Sequence, residues 1–186
     1  MAGFAGGALG IPAGHPGVAR AASPSPTGRL RESEPKDVPG IAFTDGAGAR
    51  TELSAFAGKG VVLNLWATWC APCVAEMPAL DRAAKVLEAD GIVVLALSSD
   101  RGGRGQVEPF YQRVAIRHLG MWFDERAAAT RALGARGLPT TVLIGRDGRE
   151  RARLEGAAEW DSAEMLDAVR RLCGAGEAPS AGTAPT

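Results

Sequence analysis

Two cysteines three residues apart, Cys70 and Cys73, stand in "WATWCAPC" with Pro72 between them and Trp69 just before. Two thiols at that spacing can close a small disulfide ring when a helix begins at the first of them, since positions i and i+3 share a face. The run "VVLNLWAT", Val61 to Thr68, is nearly all apolar and reads as a strand buried on both faces. Cys70 then falls where the strand ends and the helix begins. Free amide donors and the helix dipole favour an anion there, so a Cys70 thiolate should form below the free-thiol pKa of ~8.5. Pro72 suits the first helical turn, where a missing N–H is harmless. The asymmetry assigns roles. Cys70, nearer the helix end and exposed, attacks a substrate disulfide; Cys73, more buried, resolves the mixed disulfide. Trp69 forms an apolar rim beside the attacking thiol.

Other chemistries of the pair are weaker on the residues present. Zinc needs four ligands, and only Cys173, His15 and His118 remain to complete a site. A purely structural disulfide this short gains little stability. Soft thiolates do suit Cu(I), so a metallochaperone using the same dithiol is the alternative function. Its added ligand would have to be His118. The P-x-x-x-T-x-x-C arrangement of peroxide-reducing thiols is absent.

Glu76 lies three residues after Cys73. If buried, its pKa rises and it can shuttle a proton to the resolving thiol; if exposed, it is a first-turn glutamate favoured by the helix dipole. "RGLPTT", Arg136 to Thr141, places Pro139 at the mouth of another strand, where it cannot join a central ladder. A cis Leu138–Pro139 bond would leave the Leu138 backbone free to pair with an extended substrate chain; a trans proline would merely open the strand. Cys173 reads as a small core residue of the last helix rather than a redox partner.

These groups need a scaffold. Met77, Leu80, Ala84 and Leu87 mark an amphipathic helix to about Asp90, stopped by Gly91, with Asp81, Arg82, Lys85 and Glu88 on its polar side. "IVVLALSS", Ile92 to Ser99, is a second buried strand, giving a β-α-β crossover. "DRGGRGQ", Asp100 to Gln106, reads as a flexible solvated loop. "VEPFYQRVAI" and "ERAAATRALG" read as helices, "MWF" as a short strand or loop, and "TTVLIG" with "ERARLEG" as a hairpin about "RDGR". The last helix, "DSAEMLDAVRRLC", opens with a capping box. Ahead of all these, Asp45-Gly46 marks an N-terminal hairpin. The fold class is α/β, a mixed sheet with helices on both faces.

Charge balances at 21 basic against 21 acidic residues, which gives no electrostatic case for nucleic acid as a partner. No apolar run of about 18 residues marks a membrane span. Residues 1–38 are a leader or linker; the first 24 are either the remnant of an export signal, ending near Ala19, Arg20 and Ala21, or a disordered leader. Residues 39–173 form the domain, and residues 174–186 a disordered tail. Nothing demands more than a monomer.

A buried strand, then W-C-x-P-C opening a helix, then G-x-P-T resembles the thioredoxin-like fold over about Val38 to Leu172. "WATWCAPCVAEMPAL", with Glu76 and Pro78 after the second cysteine, together with "SSDRGG" and "EGAAEWDS", resembles the TlpA/ResA-like branch. That resemblance implies a three-layer α/β/α sandwich with an N-terminal hairpin extension and an inserted helix. It implies an extracytoplasmic, periplasmic or outward-facing membrane-associated thiol:disulfide reductase. Such a protein keeps apocytochrome or copper-site cysteines reduced, is fed by a membrane thiol donor, and needs no cofactor beyond the dithiol. By the same resemblance Pro139 is the cis-proline and Glu76 the buried acid. One departure concerns cytoplasmic thioredoxins, which carry an aspartate where this chain has Asn64; Glu76 is then the acid nearest the thiols.

Overall fold

The computed structural model describes residues 30–124 and 126–174, with residues 1 and 3; most of the leader and the tail after residue 174 lie outside the described residues. The strands are β1 Leu30–Asp37, β2 Ala42–Asp45, β3 Arg50–Glu52, β4 Gly60–Trp66, β5 Ile92–Ser98, β6 Trp122–Phe123, β7 Thr140–Ile144 and β8 Arg149–Glu155. The helices are α1 Ala71–Leu87, α2 Arg104–Arg113, α3 Ala128–Ala132 and α4 Ala163–Cys173. One sheet orders the strands β1-β8-β7-β4-β5-β6-β2-β3. β4, β5 and β6 run parallel, while β7 opposes β4 and β8 opposes β7.

All seven residues of β4 are buried. Because side chains alternate across a strand, Val61, Leu63 and Leu65 face one way and Val62, Asn64 and Trp66 the other. The first set packs with Leu95, Leu97, Val142, Ile41, Phe43, the α3 residue Ala129 and the residue just after α3, Leu133. The second joins the core built with α1, α2 and α4, including Met77, Leu80, Phe110 and Val169. These are the three layers expected of a thioredoxin-like α/β/α fold.

α1 begins after Cys70, runs through Pro78 without interruption, and gives way to a 3-10 turn at Glu88–Asp90. Gly91 then takes φ +69°, a conformation glycine adopts without steric penalty. α4 is capped by Ser162, whose hydroxyl accepts the Met165 N–H. Glu164 is therefore one position short of the capping box expected from the sequence. The β7–β8 hairpin turns through the four residues 145–148, with Gly148 N–H donating to the Gly145 carbonyl.

The structure corrects three further sequence expectations in the fold. Residues 30–37, placed in the linker, form edge strand β1 against β8. "LRESEPKD" carries no period-2 apolar pattern because both faces of this edge are wet. Its ladder and ion pairs hold it instead: Glu32 with Arg171, Lys36 with Glu150, and Asp37 with Arg149. Pro35 falls where the register shifts between Glu32 and Lys36, a position that needs no ladder donor.

The second correction is at Asp100 to Gln106. α2 already starts at Arg104, and Asp100 is fully buried. The third is Asp81, assigned to the solvent side of α1 but 6% exposed. It stands one turn beyond Met77 on the same stripe. Its Oδ1 accepts the backbone N–H groups of Arg117, His118 and Leu119, at 3.1, 2.7 and 3.0 Å. This single carboxylate fastens the segment after α2 onto α1. Asp81→Ala leaves three amides without their acceptor and should cost about 2–4 kcal/mol, whereas Asp81→Asn keeps one acceptor oxygen and should cost about 1 kcal/mol. Urea unfolding of the two variants checks this, and equal losses would contradict it.

Candidate active site

β4 ends at Trp66, and the chain turns through Ala67, Thr68 and Trp69, closed by Cys70 N–H to the Ala67 carbonyl at 3.1 Å. Cys70 is the N-cap of α1 with extended backbone, and its Sγ accepts the Cys73 N–H at 3.3 Å. The two cysteines form a disulfide with their Cα atoms 5.3 Å apart. Cys70 is less exposed than the sequence suggested, at 6%, because its sulfur folds back over the first helical turn; Cys73 is fully buried. Cys70 remains the accessible member of the pair. Trp69 beside it is 70% exposed, the largest aromatic surface among the described residues.

β7 brings the second sequence signal to the same end of the sheet. Leu65 pairs with Thr140, so Pro139 lies level with the last residue of β4. The Leu138–Pro139 bond is cis. Pro139 is buried, Leu138 half-buried, and Leu138 packs against both halves of the core. The Pro139 carbonyl accepts the Gly156 N–H at 2.9 Å.

Glu76 follows Cys73 by one turn on the buried face of α1 and is 4% exposed. Its Oε1 accepts from Asn64 Nδ2 at 3.0 Å; its Oε2 accepts from the Ala158 N–H at 3.0 Å and from Trp160 Nε1 at 2.8 Å. Burial raises its pKa above the ordinary 4.5, and the three donors only partly offset that. Asn64 also donates to Thr141 Oγ1 at 2.9 Å, while its Oδ1 is buried without a partner. Rotated about its amide, Asn64 would present that oxygen to a protonated Glu76, so one side chain can meet both forms of the carboxyl.

The raised pKa has a signed consequence. The folded protein holds the Glu76 proton to higher pH than the unfolded chain does. The favourable term is therefore complete below about 4.5 and is lost as pH rises through the folded-state value. Measured as the difference between wild type and Glu76→Gln, stability should fall across that interval. A difference flat with pH would contradict the burial argument.

Sequence reasoning missed Trp160 and Ala158 as partners of Glu76, and it treated Asn64 only as a residue that cannot take a proton. The "EGAAEWDS" segment held the signal: Trp160 is the one large apolar side chain in an otherwise small and polar stretch, and it is buried. Cys173 is a free, fully buried thiol whose Sγ lies 3.5 Å from the Val61 carbonyl, and burial pushes its pKa up to about 12. A side chain at Gly60 would run into it at 2.8 Å, which fits a packing element. His118 is exposed and its backbone is tied to Asp81; His15 lies outside the described residues. Among the described residues no three His, Cys, Asp or Glu side chains gather into a metal-binding group, and no helix is long and apolar enough to cross a membrane.

A cysteine pair at the start of α1, with Pro139 level with the end of β4 on the neighbouring strand, fits a thioredoxin-fold thiol–disulfide oxidoreductase. The Redoxin family model matches residues 32–169. Thiol-disulfide oxidoreductase ResA of Bacillus thuringiensis is 32% identical over 121 residues, covering 65% of this chain and 69% of that one. A crystal structure of a putative thiol:disulfide interchange protein DsbE from Chlorobium tepidum superposes with a TM-score of 0.64 at 26% identity, over 75% of this chain and 99% of that one. An exposed lipoprotein thioredoxin from Streptococcus pneumoniae gives a TM-score of 0.56 at 25% identity, over 70% and 99%. The chain belongs to the Redoxin family, in its TlpA/ResA-like branch.

Proposed function

We propose that this protein reduces disulfides of substrate proteins outside the cytoplasm, in cytochrome c maturation or copper-site assembly. A Cys70 thiolate attacks one sulfur of the substrate disulfide. A mixed disulfide forms, and the first substrate thiolate leaves and takes up a proton. Cys73 loses its proton and attacks Cys70 Sγ, releasing the second substrate thiolate, which takes up a proton from solvent. Two electrons and two protons pass to the substrate, and the Cys70–Cys73 disulfide is left behind. Glu76 takes the Cys73 proton in the resolving step. Trp69, Leu138 and Pro139 dock the substrate chain. A membrane thiol donor restores the dithiol, no dissociable cofactor takes part, and the protein acts as a monomer.

The observation that carries this reading is the buried carboxyl of Glu76 one helical turn from the Cys70–Cys73 disulfide, whose Cys70 caps the same helix. A base must be poised near neutral pH to serve a thiol, and burial moves this carboxyl in that direction. The extracytoplasmic setting is supported by likeness to the pneumococcal protein, itself described as an exposed lipoprotein.

The test offers the pre-reduced protein a disulfide-bonded peptide carrying a C-x-x-C-H segment, beside a disulfide peptide of unrelated sequence. Faster reduction of the first supports the cytochrome reading. Equal rates would remove it and leave a general reductase.

A further inference from the structure

Asp100 is fully buried at the end of β5, and no ion pair reaches it among the described residues. Its Oδ2 accepts the Thr68 N–H at 2.8 Å and the Ser98 hydroxyl at 2.8 Å; its Oδ1 accepts the Thr68 hydroxyl at 2.7 Å. A buried carboxylate without a counter-charge is costly unless donors satisfy it, and here three do. Asp100 is itself held: its N–H reaches Ser98 Oγ at 3.1 Å, and its carbonyl accepts the Gly103 N–H as the chain turns into α2.

Both donors of Thr68 therefore end on one rigid side chain. Thr68 is the second residue of the turn whose third and fourth are Trp69 and Cys70. Trp69 projects into solvent while Cys70 stays nearly covered, so the relation between them depends on how firmly the turn is seated. A bulky protein disulfide must meet both at once, and small misplacements of reacting groups are costly in rate. A small disulfide needs the thiol alone.

We propose that Asp100 is a positioning residue for thiol–disulfide exchange: through Thr68 it seats the turn that offers Trp69 and Cys70 together to a protein substrate. This rests on the reading of Cys70 as the attacking thiol. Asp100 touches no reacting atom. Its effect is on how well a protein substrate, rather than any disulfide, is met.

The experiment follows single turnovers of the pre-reduced protein by tryptophan fluorescence, with insulin as the protein disulfide and cystamine as the small one. Asp100→Ala should slow the insulin reaction about ten-fold or more, with cystamine within about two-fold of wild type. Asp100→Asn should recover both rates to within about three-fold, because its oxygen can accept the Thr68 N–H while its amide donates to the Thr68 hydroxyl. If Asp100→Ala does not fold, as circular dichroism would show, Thr68→Val decides, with a loss of several-fold on insulin alone. Equal slowing of both substrates in the folded variant, or an unchanged insulin rate in Thr68→Val, overturns the proposal. Cys70→Ser is run beside them. Activity surviving there would sink the Cys70 reading, whereas the insulin-to-cystamine ratio judges Asp100 with Cys70 intact.

Discussion

Cys70→Ser should bring protein disulfide reduction to the uncatalysed background, while Cys73→Ser should carry out the first half of the reaction and stop. The difference follows from position. Cys70 is the N-cap of α1, the member of the pair that keeps some exposure, and its anion would face the amides of the first turn. A hydroxyl there neither ionises near neutral pH nor attacks sulfur. Cys73 is fully buried, so no protein substrate reaches it before Cys70 has reacted. With serine at position 73 the mixed disulfide on Cys70 has no resolving thiol and should accumulate as a covalent adduct, visible by mass spectrometry and released by added dithiol. Adducts forming on Cys73 in the Cys70→Ser variant instead would reverse the assignment.

Glu76→Gln should slow the resolving step about a hundred-fold, the lower end of what a positioned base contributes. Glutamine fills the same space and can still accept from Trp160 or Asn64, so the fold should survive, but it cannot take a proton. The wild-type rate should rise with pH as Glu76 ionises, at a value above the ordinary 4.5 because burial dominates its environment. The glutamine variant should lack that limb. The check is rapid-quench separation of mixed-disulfide formation from resolution. An effect confined to the first step would place Glu76 outside proton transfer to Cys73.

Much of this site could be read along the chain because its chemistry is local. Cys70, Pro72, Cys73 and Glu76 lie within seven residues on one helix, where spacing alone fixes who shares a face. β4 and β5 were legible for a similar reason, since strands buried on both faces are unbroken apolar runs. β1 was not. Its eight residues are mostly charged, and only the ladder to β8, more than a hundred residues later, makes them a strand. Asp81 and Asp100 failed in the same way. An aspartate in sequence looks solvated, and nothing local reveals that Arg117, His118 and Leu119, or Thr68, will supply its donors. The Trp160 contact with Glu76 spans 84 residues and needed the fold before it could be seen.

The most direct test is the reduction potential of the Cys70–Cys73 pair, measured by equilibration in defined dithiol buffers with tryptophan fluorescence as the readout. Trp66 and Trp69 flank the pair and should report the transition. A reversible two-electron transition near the reducing end of this fold's range, about −270 mV, is the predicted result. A value near the oxidising end, about −120 mV, would make the protein a disulfide donor, and the absence of any reversible transition would contradict dithiol chemistry at this site altogether.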